Sequence, residues 1–184
     1  MGKPKLPHKV KLFTGFLFRD PQVYKKAKAI LSRKFGPIDF ESRMLPFNYT
    51  DYYRQEFGPD LVRAFTGFSG MIAPENLSRI KLITNSIEAK LSKSGKRTIN
   101  IDPGYIDMGK LVLASTKDYT HRIYLRDGIY AEITLAYRDK SYRPYPWTYP
   151  DYSSAEYIAV FNSMRETLIK NPNKNVSDLP QFIQ

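Results

Sequence analysis

The run from Val10 to Phe18 is β-branched, aromatic and aliphatic around a single Lys11, the pattern of a buried strand. It stops at Arg19-Asp20-Pro21, where Asp supplies an N-cap and Pro the first helical position. Val23, Ala27, Ile30 and Leu31 then share one face until Gly36-Pro37. The spacing predicts a helix over 21–35. Ile38 to Phe47 reads as extended, Asn48 to Phe57 as a short helix or structured loop, and Leu61 to Ile72 as another aromatic-rich strand. After Pro74, the positions Leu77, Ile80, Ile83, Ile87 and Leu91 recur at spacings of three and four, which predicts a second helix closing at Gly95. Arg97 to Ile101 is a short strand, and Tyr119 to Leu125 with Ile129 to Tyr137 forms a hairpin across Arg126-Asp127-Gly128. Ser153-Ser154-Ala155-Glu156 reads as a capping box, followed by a last helix with Ile158, Phe161, Met164 and Leu168 inward and a stop before Pro172.

In order this is β-α-β-β-α-β, a short helical piece, a hairpin and a C-terminal helix. The pattern predicts an α+β domain with a ferredoxin-like split βαβ core, a mainly antiparallel sheet and helices on at least one face. A chain of 184 residues fits one domain: a flexible basic arm over 1–9, a body over 10–171 and a frayed tail over 172–184. With 42% hydrophobic and 26% charged residues it can fill a core. The absence of Cys excludes disulfides, thiolate zinc sites, iron–sulfur clusters and a Cys nucleophile. Val10 to Phe18 lacks a cleavage site, and no run of 18 apolar residues occurs, so the expectation is a soluble cytoplasmic protein without a membrane partner.

The net charge of +11 is unevenly spread. Residues 1–36 carry ten basic groups (Lys3, Lys5, Lys9, Lys11, Arg19, Lys25, Lys26, Lys28, Arg33 and Lys34) against Asp20 alone, and the rest of the chain is close to neutral. Such a concentration attracts phosphates.

Candidate chemistry gathers around the stretch from Asp102-Pro103-Gly104, read as a turn, to Arg122. Asp102, Tyr105, Lys110, Lys117 and Arg122 suit a phosphate or carboxylate, with Tyr52 and Trp147 as flat walls. His121 is the candidate general acid or base. On strand alternation it shares a face with Ile123 and Leu125, and its structural reading is a histidine bonded to Asp102 or a tyrosine. Pro144 to Tyr152 holds three prolines with Trp147, Tyr145 and Tyr149 and reads as a rigid loop leading to the last helix. Two histidines, one of them His8 in the arm, give a zinc site no support. No P-loop, dinucleotide fingerprint or nucleophile elbow is present, and no cofactor is indicated.

Val10-Lys11-Leu12-Phe13, Phe35-Gly36-Pro37-Ile38-Asp39-Phe40, Thr50-Asp51-Tyr52-Tyr53, Asp102-Pro103-Gly104-Tyr105, Lys117-Asp118-Tyr119, His121 to Leu125 and Trp147 to Tyr152 together resemble a prokaryotic family, domain of unknown function family 4416, over about residues 8 to 170. Some relatives carry a GTP-binding label, so the resemblance implies a nucleotide-like ligand held without a P-loop, and it brings no reaction with it. The expected function is therefore binding of a small phosphorylated or nucleotide-like ligand. The alternatives are an RNA-binding module that uses the basic arm and the aromatic sheet face around Phe13 and Phe65, and a non-enzymatic scaffold.

Overall fold

Strand β1 (Val10–Phe18) is buried at every position, because it lies mid-sheet with helices on both faces; its sequence is accordingly a continuous apolar run. The computed structural model describes residues 2–170. The other strands are β2 (Ile38–Glu41), β3 (Leu45–Pro46), β4 (Val62–Ile72), β5 (Ile99–Ile106), β6 (Lys110–Ser115), β7 (Ile123–Arg126), β8 (Ile129–Arg138) and β9 (Ser141–Pro144). They form one sheet in the order β2-β4-β1-β5-β6-β8-β7, with β3 also on β4, β9 also on β8, and every pairing antiparallel.

Three long helices cover the sheet: α1 (Pro21–Phe35), α3 (Leu77–Leu91) and α4 (Ala155–Lys170), with α2 (Arg54–Phe57) a single turn. Leu12, Phe16 and Phe18 of β1 pack with Val23, Leu31, Ile80 and Ile87 beneath α1 and α3. Phe13 and Phe65 point the other way and pack with Tyr157, Phe161 and Met164 of α4. Both rings are wholly buried there, so the sheet face offers no base-stacking platform at these positions and that form of the RNA-binding reading is corrected. None of the described helices is long and apolar enough to cross a membrane.

The helix signals worked locally. Asp20 caps α1 by accepting from the Gln22 N–H at 2.8 Å, with Pro21 next in the chain. At α4 the cap falls one residue later than the sequence suggested. Ser154 accepts from the Tyr157 N–H at 3.2 Å, and Glu156, one position too early to reach back, pairs with Arg43 instead. The expected stop before Pro172 and the tail lie outside the described residues.

Three expectations change between residues 102 and 144. Asp102-Pro103-Gly104 is not a turn but part of β5. The expected short helical piece is absent; strand β6 follows, with Leu111 and Leu113 packed toward α4 and Val112 and Ala114 toward α3, a two-faced burial at period two. The 126–128 hairpin forms, with positive φ at Asp127 (54°) and Gly128 (73°), but β7 begins only at Ile123. His121 therefore sits in a turn, closed by the Arg122 N–H to Tyr119 carbonyl bond, and Ile123 and Leu125 are exposed on an edge strand instead of forming an apolar set with it.

The sheet divides in the middle. β5 and β6 pair over only three positions, Gly104 with Leu113, Tyr105 with Val112 and Ile106 with Leu111. Beyond them β5 continues along β1 and β6 along β8, leaving a fork. At its vertex the backbones close tightly: a Cβ on Gly104 would lie 2.5 Å from the Val112 carbonyl oxygen and 2.6 Å from the Phe13 ring. On the open edge of β5, Glu88 of α3 accepts from the Ile101 N–H at 2.6 Å and Lys81 donates to the Ile101 carbonyl at 3.2 Å. By the alternation of the ladder Pro103 turns its nitrogen to the same edge, where it has no N–H to offer β6.

Candidate functional site

The fork opens into a cleft of about 690 Å³. Arg63 of β4, Asn100 and Asp102 of β5 and Lys81 and Glu88 of α3 line its inner part. Ser115 at the end of β6 and Lys117 just after it, together with Arg122 and Glu132, form one wall. Phe47, Tyr52 and Tyr53 from the segment around α2, and Tyr149 and Tyr152 ahead of α4, supply the aromatic surface.

The inner charges form one network. Asp102 accepts from Asn100 at 2.6 Å, Lys81 at 3.3 Å and Arg63 at 3.5 Å. The other arm of Arg63 reaches Asp151 at 3.0 Å, and its guanidinium lies 5.2 Å from the Phe47 ring centre. Arg97 makes two 2.6 Å bonds to Glu56 of α2 and further bonds to Glu88 and Asn100, tying the α2 segment to this network. Burial opposes the charge on Asp102, but Lys81 and then Arg63 outweigh it and hold the carboxyl below its ordinary range. Asp151 goes the other way: burial raises its pKa, and Arg63 offsets only part of the effect. Burial likewise raises Glu88, against Lys81 and the Ile101 N–H. The Nε of Arg63 and the hydroxyl of Tyr152 are buried with no hydrogen-bond partner among the described residues.

On the opposite wall Arg122 is buried and four of its five N–H donors are used. It bonds to Glu132 at 2.9 Å, the Ser115 hydroxyl at 2.9 Å, the Lys117 carbonyl at 3.0 Å and the Tyr149 hydroxyl at 2.5 Å. It is a strut, whereas Lys117 has its ammonium 4.7 Å from the Tyr52 ring centre and a long 3.5 Å contact to that hydroxyl, with no carboxylate partner among the described residues.

Of the residues singled out from sequence, Asp102, Lys117, Arg122 and Tyr52 line this cleft. Tyr105 packs on the α3 side of the sheet instead, and Lys110 pairs with Asp107 at 2.8 Å in the β5–β6 turn. His121 stands just behind the wall, 3.2 Å from Glu132, and is stacked between Tyr119 and Trp147 with ring centres 5.9 and 5.6 Å away. Its partner is thus Glu132, not Asp102 or a tyrosine. Trp147 stacks in turn on Tyr145 and donates to the Ile133 carbonyl, outside the cleft. Among the described residues no group of three or more His, Asp or Glu is placed to hold a metal ion.

Sequence reasoning missed Arg63, Lys81, Glu88, Arg97 and Glu132; of the three carboxylates in aromatic, turn-rich contexts, Asp51, Asp102 and Asp151, the last two line the cleft and Asp51 does not. Two signals were available. Arg63 alternates with Phe65 and so sits among apolar positions of a buried strand. Lys81, Thr84 and Glu88 share the helical spacing of the α3 core face and are buried on it.

The protein is thus an α+β protein with a divided antiparallel sheet and a charged, aromatic cleft at the division. It belongs to the family described as Domain of unknown function (DUF4416), which it matches over residues 8–168. Neither a curated protein nor a solved structure matches the chain.

Proposed function

We propose that the cleft binds a small phosphorylated, nucleotide-like ligand, with the anionic group at Lys117 and a flat ring against the tyrosines of the α2 segment. The observation that carries this reading is Lys117 itself: an ammonium beside the Tyr52 ring, at the wall of a 690 Å³ cleft and without a carboxylate partner among the described residues. A GTP-like ligand would be held by side chains here, the chain having no P-loop. The order β2-β4-β1-β5, with α1 and α3 as crossovers, supports reading that half as a ferredoxin-like split βαβ core carrying the site. A cytoplasmic location, read from the sequence, belongs to the same proposal.

Native mass spectrometry and thermal shift with GTP, ATP, GMP and a sugar phosphate test it. One of these ligands should raise the melting temperature in a concentration-dependent way. Lys117→Ala should weaken that binding by roughly ten- to hundredfold, the loss of one charge-assisted contact. Binding left unchanged by Lys117→Ala, or no binding to any of the four, would count against the proposal.

A further inference from the structure

The layer opposite α4 carries a second feature, independent of the cleft. The exposed positions of α1 include Gln22, Lys25, Lys26, Ala29, Arg33 and Lys34, four cations and no acid. None of these four is in an ion pair among the described residues; the nearby carboxylates are occupied, Glu41 by Lys28, Asp39 by Lys11 and Asp20 by the Gln22 N–H. Because β1 and β4 run antiparallel and each feeds one of the two crossover helices, α1 and α3 run in opposite directions over the same core. The end of α3, with exposed Lys90 and then Lys93 and Lys96, therefore lies toward the Lys25–Lys26 end of α1. The sequence concentrated charge in residues 1–36; the fold adds these later lysines to the same layer.

We propose that this α1/α3 surface binds the phosphate backbone of a nucleic acid without reading its sequence. The charge is of the right sign and density: from Lys25 to Lys34 the helix advances about 13 Å, several phosphate steps of a strand. The outer face of α1 exposes no large apolar side chain and α3 adds only Leu82, far short of the apolar face that a helix embedding in a lipid surface needs, so a nucleic acid fits better than an anionic membrane. No base contact is called for, since the cations supply position and affinity.

Fluorescence anisotropy with a short single-stranded RNA and a short DNA duplex provides the test, each titrated at about 50 and 200 mM salt. Four backbone contacts give a log–log salt slope of about −3 for a single strand, which is roughly a 60-fold loss between those salt concentrations. The variant carrying Lys25→Glu, Lys26→Glu, Arg33→Glu and Lys34→Glu should lose at least tenfold in affinity and most of the salt slope while keeping the wild-type melting temperature. The same four changed to Gln should fall between. An undiminished affinity in the Glu variant, no binding by wild type at the lower salt, or binding to phosphatidylserine vesicles but to neither oligomer would overturn the proposal. None of these outcomes depends on whether the cleft takes a nucleotide.

Discussion

Asp102 and Asp151 hang from the two arms of one buried guanidinium, and neutralising them has unequal consequences. Asp102→Asn leaves Lys81 and Arg63, whose side chains are 8% and 4% exposed, short of an anion. Removing one member of a buried pair costs about 3–5 kcal/mol. Lys81 keeps the Ile101 carbonyl and Arg63 keeps Asp151, so the lower end, about 3 kcal/mol, applies. For a chain of this size that lowers the melting temperature by roughly 6–12 °C. The pH dependence follows from the lowered pKa: the stability Asp102 contributes is present above its ordinary value of 3.8 and is lost as pH falls through the lower folded value. The deficit of Asp102→Asn should therefore be full near neutrality and shrink in strongly acidic solution. Asp151 has a raised pKa, so its ionised form is disfavoured in the folded state, and the penalty is relieved as pH falls from above the folded value toward 3.8. Asp151→Asn also takes an anion from Arg63, but it removes a charge that burial disfavours and leaves Arg63 its contact to Asp102, so it should destabilise less than Asp102→Asn near neutral pH. Thermal and urea melts of both variants across this range decide the matter, and equal destabilisation of the two near neutral pH would refute the reasoning.

Gly104→Ala forces a methyl against the Val112 carbonyl and the Phe13 ring, and should cost about 1–3 kcal/mol, read as a lower urea midpoint. Arg122→Ala leaves Glu132, 1% exposed, without its guanidinium and should destabilise by about 3–5 kcal/mol in the same assay. Lys at that position should not restore it, because one ammonium cannot replace bonds running to four different groups. Ile123→Ser, on the exposed edge strand, should change stability by no more than about 0.5 kcal/mol, where a residue of an apolar core face would lose several times that.

What could be read from sequence was what neighbours in the chain decide. The limits of α1 at Pro21 and Phe35 match because Asp20, Pro21 and Gly36 are all adjacent to the ends they define. The α3 stripe and the β1 run are likewise internal to one segment. The fork was not legible, because it depends on which edge of β5 Pro103 faces, and that is fixed only when β1 pairs on the other side. The same dependence hid the cleft. Asp102, Lys117 and Arg122 were selected as neighbours in sequence around a supposed turn, yet they meet across a gap between strands, with Arg63 and Asp151 brought in from distant segments. The sequence also suggested Arg122 as a ligand contact, since a residue type says nothing of how many of its donors the fold has already used.

A sheet that parts in its own middle creates two bare edges inside the molecule, each able to accept another strand. Proteins blunt exposed edges with lysine, proline and covering side chains to prevent pairing with other chains. The open edge of β5 carries the same equipment turned inward: Pro103 in the strand, and Lys81 and Glu88 capping the carbonyl and N–H of Ile101. Without them β6 could zip onto β5 for the whole length of both, closing the cleft from within. The hollow at the centre of this fold is thus maintained by the devices that elsewhere keep proteins from aggregating.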